Sequence, residues 1–165
     1  MQTEFRNAMA QLSAAVNIIT TAGPYGRAGL TVSAVCSVSD TPPTLLVCLN
    51  RGSALYPVFT GNRRLGVNIL PGHHEELARQ FAGMTGLSME QRLSSAGWTS
   101  GDGSMPVLSD ALASLEGDIV LTQDIGSHCV MFAEIKHIRL SASQDGLTYF
   151  NRRFHRLAGG LSKTT

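Results

Sequence analysis

The segment from Leu30 to Ser39 constrains the fold most tightly, because its residues alternate in polarity. Every even position of this segment is apolar, and every odd position except Val35 is threonine or serine. Successive side chains of a strand point to opposite faces, so the pattern predicts a β-strand with one face in the core and the other lined by small hydroxyls. Such a face is typical of an ordinary solvent-exposed strand. It also suits a flat polar ligand, which hydroxyls and backbone can contact without steric conflict.

The rest of the chain predicts many strands and few short helices. Strands are expected over residues 16–21, 44–50, 65–70, 112–123, 129–140 and 147–150, and helices over residues 3–14, 53–59 and 74–81. Residues 83–105 contain five glycines and show no periodic spacing of apolar residues, so we expect a long irregular loop there. This pattern favours a mainly β fold, an antiparallel barrel with a few peripheral helices. We expect one domain over residues 1–165, with a core of about 5–157 and a flexible tail at 158–165.

The composition restricts the functional classes open to a chain of 165 residues. Charged residues make up 15% against about 25% in typical proteins, hydrophobic residues make up 43%, and the formal net charge is +1. The apolar content excludes intrinsic disorder, and the near-neutral charge argues against nucleic-acid binding. No apolar run approaches the roughly 18 residues of a membrane helix, and the first residues lack a signal-peptide pattern. We therefore expect no membrane contact, a cytoplasmic location, and a surface partly covered by something other than water.

Most familiar catalytic motifs are absent from the sequence, including the dinucleotide-binding, phosphate-loop, nucleophile-elbow and zincin patterns. His73 and His74 are adjacent, whereas helical metal ligands recur at i and i+4, so we expect solvated side chains and no metal site. The three cysteines, Cys36, Cys48 and Cys129, lie in apolar runs without a close sequence pair. They are expected to be buried free thiols in a reducing compartment.

Three further segments could contact a ligand. Residues 50–53 (Asn-Arg-Gly-Ser) precede a predicted helix, so they form either a phosphate-binding turn or a simple helix cap at Ser53. Residues 126–128 (Gly-Ser-His) form a turn in which His128 is either solvated or placed at a barrel mouth. Residues 149–156 concentrate three arginines, one histidine and three aromatic residues. Their charge suits a nucleotide phosphate or an acidic partner, or else it is a solvated terminal segment.

Taken in order, several segments resemble the flavin reductase-like family. They are AVNIITT (15–21), GLTVSAVCSVSDTPPTLLVCLNRGSA (29–54), VNIL (67–70), FAGMTG (81–86), GSH (126–128) and TYFNRRFH (148–155). Within the family, MEQR (89–92), ASLEGDI (113–119) and EIKHI (134–138) are similar to reductase components of two-component aromatic monooxygenases of the 4-hydroxyphenylacetate type. The resemblance covers about residues 5–157. The first half also resembles a flavin reductase of uracil degradation, whose pattern fits less well after residue 84.

The resemblance implies a split β-barrel of the FMN-binding, Greek-key type, a homodimer, and a cytoplasmic NADH-dependent flavin reductase. Such an enzyme reduces FAD or FMN and passes the reduced flavin to a separate oxygenase of aromatic catabolism. The alternatives are the reductase of uracil degradation and a non-catalytic flavin-binding module. The sequence leaves open the preferred flavin, the choice between NADH and NADPH, and the oxygenase.

Carried over position by position, the resemblance assigns several residues to a flavin and nicotinamide site. Those expected along the isoalloxazine and ribityl chain are Thr31, Ser33, Ala34, Val35 and Cys36. Those expected near the ribityl and phosphate groups are Ser37, Asn50 and Ser53. Phe81 and Ala82 are expected at the far end of the flavin, and His128 beside the nicotinamide. Tyr149, Arg152 and His155 match the terminal motif, whereas Ser127 stands where many relatives carry aspartate or threonine.

Overall fold

The fold is described from a computed structural model for residues 1–95, 97–143 and 145–158. The helices in these residues are α1 (Gln2–Met9), α2 (Tyr56–Asn62), α3 (Glu75–Phe81) and α4 (Met89–Leu93). The strands are β1 (Ala14–Ala15), β2 (Asn17–Thr21), β3 (Ala28–Val32), β4 (Val35–Asp40), β5 (Pro43–Asn50), β6 (Arg64–Ile69), β7 (Trp98–Ser100), β8 (Pro106–Leu108), β9 (Ala113–Ile125), β10 (His128–Leu140), β11 (Gly146–Phe150) and β12 (Arg153–Leu157). The mainly β prediction is confirmed.

Seven strands form one antiparallel sheet in the order β3-β2-β6-β9-β10-β5-β4. The two edge strands, β3 and β4, are separated along the chain only by Ser33 and Ala34. Because the three residue steps from Val32 to Val35 span at most about 11 Å, the sheet must curl until its edges are close. Within the described residues no ladder joins β3 to β4, so the barrel is split at this point, as predicted. The β1-β11-β12 sheet and the β7–β8 pair lie outside the seven-stranded sheet.

One apolar cluster fills the barrel, and six strands, including β3 through Ala28, contribute buried residues to it. Ile19, Leu49, Leu65, Ile119 and Met131 come from β2, β5, β6, β9 and β10, and none is more than 3% exposed. A second cluster lies on the other side of β2, where Ile18 packs with residues of α3, α4, β8 and β11. Strand β2 is therefore buried on both faces, and α3 is attached to the outside of the barrel.

The segment from Leu30 to Ser39 forms parts of two strands rather than one. In β3, Leu30 and Val32 pack against the barrel core, as predicted. Beyond Ser33 and Ala34 it is Val35 that packs inward, whereas Cys36 is exposed. The break shifts the alternation by one residue, so the prediction of one continuous hydroxyl face was wrong.

Other elements differ from the predictions in their boundaries. Helix α1 ends at Met9 rather than at residue 14, and its apolar residues Phe5 and Met9 are exposed. Helix α2 begins at Tyr56, three residues after the predicted start. Helix α4 and strand β7 lie in the region predicted to be irregular, and β12 was not predicted.

No helix among the described residues is both long enough and apolar enough to cross a bilayer. Residues 159–165, most of the predicted flexible tail, lie outside the described residues.

Candidate functional site

A cavity of about 520 Å³ opens where the β3 edge of the barrel, helix α3 and the β11–β12 hairpin meet. Its volume falls within the ~300–1,000 Å³ that is usual for small-molecule sites. Three walls enclose it, and each comes from a different part of the chain. We call it the arginine cavity, after Arg79, Arg152 and Arg153, which line it.

The barrel wall of the arginine cavity carries Thr31 and Ser33. Thr31 Oγ1 donates a hydrogen bond of 2.7 Å to the carbonyl oxygen of Ala78 in α3. This bond holds α3 against β3 and uses the only proton of the hydroxyl, so Thr31 can only accept a hydrogen bond from a ligand. Ser33 is exposed and lies at the break between β3 and β4.

The hairpin wall is shaped by the turn between β11 and β12. Phe150 pairs with Arg153, so Asn151 and Arg152 are the two turn residues, and their φ angles are 49° and 61°. Two positive φ angles identify a type I′ turn, which costs about 1–3 kcal/mol for each residue that is not glycine. The N-terminal segment secures this turn, because Asn151 N donates to Ala10 O at 2.7 Å and Arg152 Nη2 donates to Asn7 Oδ1 at 2.7 Å.

The helix wall adds Glu75, Arg79, Ala82 and Met84. Arg79 Nη2 lies 2.8 Å from Glu75 Oε1, and its guanidinium carbon lies 5.1 Å from the centre of the Phe154 ring. The cavity therefore holds three arginines against one glutamate. Guanidinium groups bind phosphate oxygens in a bidentate manner, so this charge balance favours a phosphorylated ligand.

A second cluster of candidate residues lies where β5 ends and β10 begins. Asn50 pairs directly with His128, and Arg51 N donates to Ser127 O at 2.9 Å. Ser127 Oγ lies 2.9 Å from His128 Nδ1, a hydrogen bond that orients the imidazole. Gly126 has a φ of 57° at the first position of the two-residue β9–β10 turn, as a type II′ turn requires. We call residues 50–53 and 126–128 the turn cluster.

The polar groups of residues 50–53 are occupied by local hydrogen bonds. Asn50 Oδ1 accepts from Gly52 N at 2.8 Å, and Ser53 Oγ accepts from Leu55 N at 3.2 Å. These bonds stabilise the turn before α2. Ser53 is not the N-cap of α2, because that position is Leu55, so the predicted helix cap was wrong.

The structure thus separates the sequence-predicted site residues into groups. The arginine cavity brings together Thr31, Ser33, Ala82, Tyr149 and Arg152, and the turn cluster holds Asn50, Ser53 and His128. Ala34 and Cys36 are exposed beside the β3–β4 break, while Val35 and Ser37 line a separate groove of about 270 Å³. Phe81 is fully buried and packs against Trp98 at 5.1 Å between ring centres. His155 Nε2 lies 3.2 Å from Phe150 O, within the β11–β12 hairpin.

Arg79 lines the cavity but was not among the residues predicted from the sequence. Its spacing from Glu75 is that of an ordinary helix-stabilising ion pair, and the hairpin that completes the site begins at Gly146, far along the chain. Arg153 and Phe154 lay in a segment that was recognised for its charge, without a position for either residue.

The three cysteines differ in exposure, and burial affects the ionisation of Cys48 and Cys129. Burial raises the pKa of the Cys48 thiol, and the nearby Cys36 raises it further. Burial also raises the pKa of Cys129, with a hydrogen bond to Asp124 adding to the rise. Cys36 is exposed, so the prediction that all three are buried was wrong for this residue.

Comparison with known proteins identifies the family. A 4-hydroxyphenylacetate 3-monooxygenase reductase component from Escherichia coli is 58% identical over 151 residues, which are 92% of this chain and 89% of the relative. The FMN reductase (NADH) RutF of Pantoea ananatis is 51% identical over 154 residues, which are 93% of this chain and 80% of the relative.

The fold leads to the same family. A crystal structure of a Haemophilus somnus protein superposes with a TM-score of 0.89 at 41% identity, covering 95% of this chain and 99% of that one. The resemblance seen in the sequence motifs is confirmed, because the family described as flavin reductase like domain matches residues 9–158. The chain therefore belongs to the flavin reductase like domain family.

Proposed function

We propose that the protein is a flavin reductase that uses NADH to reduce FAD or FMN and supplies the reduced flavin to a separate aromatic monooxygenase. One observation carries the proposal: in a chain of this family, a cavity joins an uncharged hydroxyl wall to three arginines. The first wall suits a flat polar ring system, and the arginines suit a phosphate.

The residues of the arginine cavity fit a flavin nucleotide. Thr31 and Ser33 offer hydrogen-bonding oxygens without charge, and Val32 adds an apolar surface between them. Arg79 and Arg153 offer cationic groups on the opposing walls. An uncharged ring-binding wall also favours modest affinity, which a reductase needs if its product is to leave for another enzyme.

When bound, the flavin supplies the redox chemistry by accepting a hydride from the nicotinamide ring. The task of the chain is to position two ring systems and to exclude water between them. The hydrogen bond from Thr31 to Ala78 and the buried Phe81 keep α3 in place, so the cavity is formed before a ligand arrives. No acidic or basic side chain has to move a proton at the transferring carbon.

We place the nicotinamide beside the turn cluster, with His128 as its positioning residue. The hydrogen bond with Ser127 restrains the His128 ring, and the pairing with Asn50 fixes its backbone. NADH is the proposed donor in preference to NADPH, and the NADH-dependent RutF relative supports this choice.

The oxygenase partner follows from the most similar relatives. The Escherichia coli relative is the reductase component of a 4-hydroxyphenylacetate 3-monooxygenase, so an oxygenase for a phenolic substrate is the first candidate. The second candidate is an FMN-dependent oxygenase served by a RutF-type reductase, which the 51% identity to RutF favours. A strict preference for FMN would support the second candidate.

The proposal includes a homodimer and a cytoplasmic location. Val120, Leu121 and Ile125, in the last part of β9, are 52–61% exposed, and a second copy would cover these apolar side chains. The three cysteines are unpaired, as expected in a reducing compartment. Light scattering of the wild type and of Leu121→Arg tests the dimer, and an unchanged mass for the variant would exclude this surface as the interface.

The central test mixes purified protein with NADH and excess FAD, FMN or riboflavin under anaerobic conditions. We expect loss of NADH absorbance and bleaching of the flavin in equal molar amounts. No NADH oxidation with any flavin would overturn the proposal. Flavin binding without NADH turnover would instead identify a non-catalytic flavin-binding module. Parallel assays with NADPH determine the donor, and transfer of the reduced flavin to a purified oxygenase tests the last step.

A further inference from the structure

Two histidines beside α3 converge on one carboxylate from a distant segment. His73 Nε2 lies 2.9 Å from Asp110 Oδ2, and His74 Nε2 lies 2.8 Å from Asp110 Oδ1. The three ligand atoms all lie within 4.8 Å of one another. Asp110 follows β8, 36 residues after His74, so only the folded chain brings the three side chains together.

We propose that His73, His74 and Asp110 form a binding site for a divalent transition-metal ion such as Zn²⁺. Imidazole nitrogen and carboxylate oxygen are ligands that Zn²⁺, Co²⁺ and Ni²⁺ accept. Tetrahedral Zn²⁺ with bonds of about 2.0–2.2 Å places its ligand atoms about 3.3 Å apart. The present distances of 2.8–2.9 Å between each histidine Nε2 and a carboxylate oxygen of Asp110 therefore need to widen by only about 0.5 Å, and side-chain rotation can supply this change.

The hydrogen-bonding pattern presents the atoms that a metal ion would bind. The two Nε2 atoms face the same carboxylate, so each neutral imidazole donates an Nε2–H to Asp110 in the absence of a metal. An imidazole coordinates a metal through an unprotonated nitrogen, so with a metal bound each neutral ring would carry its proton on Nδ1 instead, and the carboxylate would become the third ligand. No proton has to leave the cluster in this exchange, and the carboxylate of Asp110 would offset part of the positive charge of the ion.

The cluster of His73, His74 and Asp110 is partly exposed to solvent, as a metal site with an open coordination position requires. The His74 side chain is 21% exposed, which restrains its ring, whereas those of His73 and Asp110 are 52% and 48% exposed. An ion can therefore enter from solvent, and water can complete its coordination. Glu75 and Glu76 follow directly in α3 and add negative charge near the ion.

Metal binding would stabilise the start of α3 against the segment between β8 and β9. Helix α3 carries Arg79 of the arginine cavity and ends at its C-cap residue Ala82, which also lines the cavity, so the metal would rigidify one wall without touching the ligand. The site does not depend on the proposed reductase function, and its test needs no flavin.

The test uses the full chain without a polyhistidine tag. Titration with Co²⁺ is expected to give intense visible absorption bands that saturate at one equivalent, followed by their displacement with Zn²⁺. Asp110→Asn keeps an acceptor for both imidazoles but removes the anionic ligand, and His73→Asn removes a half-exposed ligand. Each is expected to weaken Co²⁺ binding at least tenfold. His137→Asn, which alters an exposed histidine outside the cluster, is the matched control and should bind like the wild type.

Thermal unfolding provides the second measurement. At a Zn²⁺ concentration 100 times the dissociation constant, the Tm of the wild type should rise by about 5–10 °C, whereas that of Asp110→Asn should not. Equal Tm values of the two proteins without metal would show that the variant is folded. Absence of intense Co²⁺ bands in the wild type, or wild-type affinity in both ligand variants, would overturn the proposal.

Discussion

Replacing Gly29 with alanine is expected to destabilise the protein through a single contact between β3 and α3. A Cβ atom at Gly29 would lie 2.6 Å from Phe81 Cε1 and 2.8 Å from Phe81 Cδ1. Carbon atoms in contact prefer about 3.5–4.0 Å, so the ring would have to retreat by about 1 Å. Phe81 is fully buried and packed on Trp98, so nearby atoms leave it little room to move.

Overpacking of this kind costs about 1–3 kcal/mol. A cost of about 2 kcal/mol lowers the Tm of a chain of this length by about 4–8 °C. Gly146→Ala is the matched control, because it also places alanine in a strand but its Cβ would meet Leu112 Cδ1 at an ordinary 3.7 Å. The free energy of unfolding of that variant should fall by no more than about 0.5 kcal/mol.

Urea denaturation of a double-mutant cycle separates the contact from other effects. Phe81→Leu removes the ring atoms that the methyl group added by Gly29→Ala would strike. The double variant should therefore be destabilised by less than the sum of the two single variants, with a coupling of about 1 kcal/mol or more. Wild-type stability of Gly29→Ala would refute the packing argument. Strict additivity in the double variant would show that the loss arises elsewhere.

Three further predictions concern ligand binding. Arg79→Gln or Arg153→Gln should weaken FMN binding about tenfold but leave riboflavin binding nearly unaffected, because of these two flavins only FMN carries a phosphate. Fluorescence titration measures the affinity for each flavin. Equal losses of affinity for FMN and riboflavin would contradict a phosphate contact. His128→Ala should lower kcat/KM for NADH about tenfold without changing the flavin dissociation constant. Stopped-flow kinetics measures both quantities. Weaker flavin binding by the variant would show that His128 contacts the flavin rather than the nicotinamide. Iodoacetamide should label the exposed Cys36 before Cys48 and Cys129. The raised pKa values of Cys48 and Cys129 leave less of the reactive thiolate at neutral pH. Raising the pH should therefore reduce the difference in labelling rate between Cys36 and the other two cysteines. Saturating FMN should slow labelling of Cys36, as measured by peptide mass spectrometry, and unchanged labelling would contradict its place beside the flavin.

The local pattern of apolar residues was sufficient to predict most strands, because burial of one strand face requires apolar side chains there. Strand β10 was predicted within one residue of its bounds, since its first half alternates between buried and less buried positions. The break at Ser33 and Ala34 was not predictable, because Ser33 is one of several serines that fit the alternation and no glycine or proline marks the break. Closure of the sheet imposes this break, and closure depends on strands far apart in the chain.

The site residues that were not predicted are those that only the tertiary fold brings together. Arg79 reaches the terminal hairpin, and Asp110 reaches His73 and His74, only through packing of α3 against the barrel. One signal was readable and overlooked: Ser88 and Gln91 have the spacing of a capping box, and the structure shows both of its hydrogen bonds at the start of α4.

Helix α3 connects the packing of the fold to the geometry of the ligand cavity. Phe81 inserts between α3 and the barrel, Thr31 Oγ1 bonds to Ala78 O, and the histidine pair contacts Asp110 at the other end of the helix. None of these contacts needs the ligand, yet together they position Arg79 and Ala82. Gly29→Ala should therefore weaken flavin binding although Gly29 does not line the cavity, whereas Gly146→Ala should not. If both variants bind flavin like the wild type while Gly29→Ala loses stability, then α3 can shift without altering the cavity, and the ligand must be held by the barrel and hairpin walls alone.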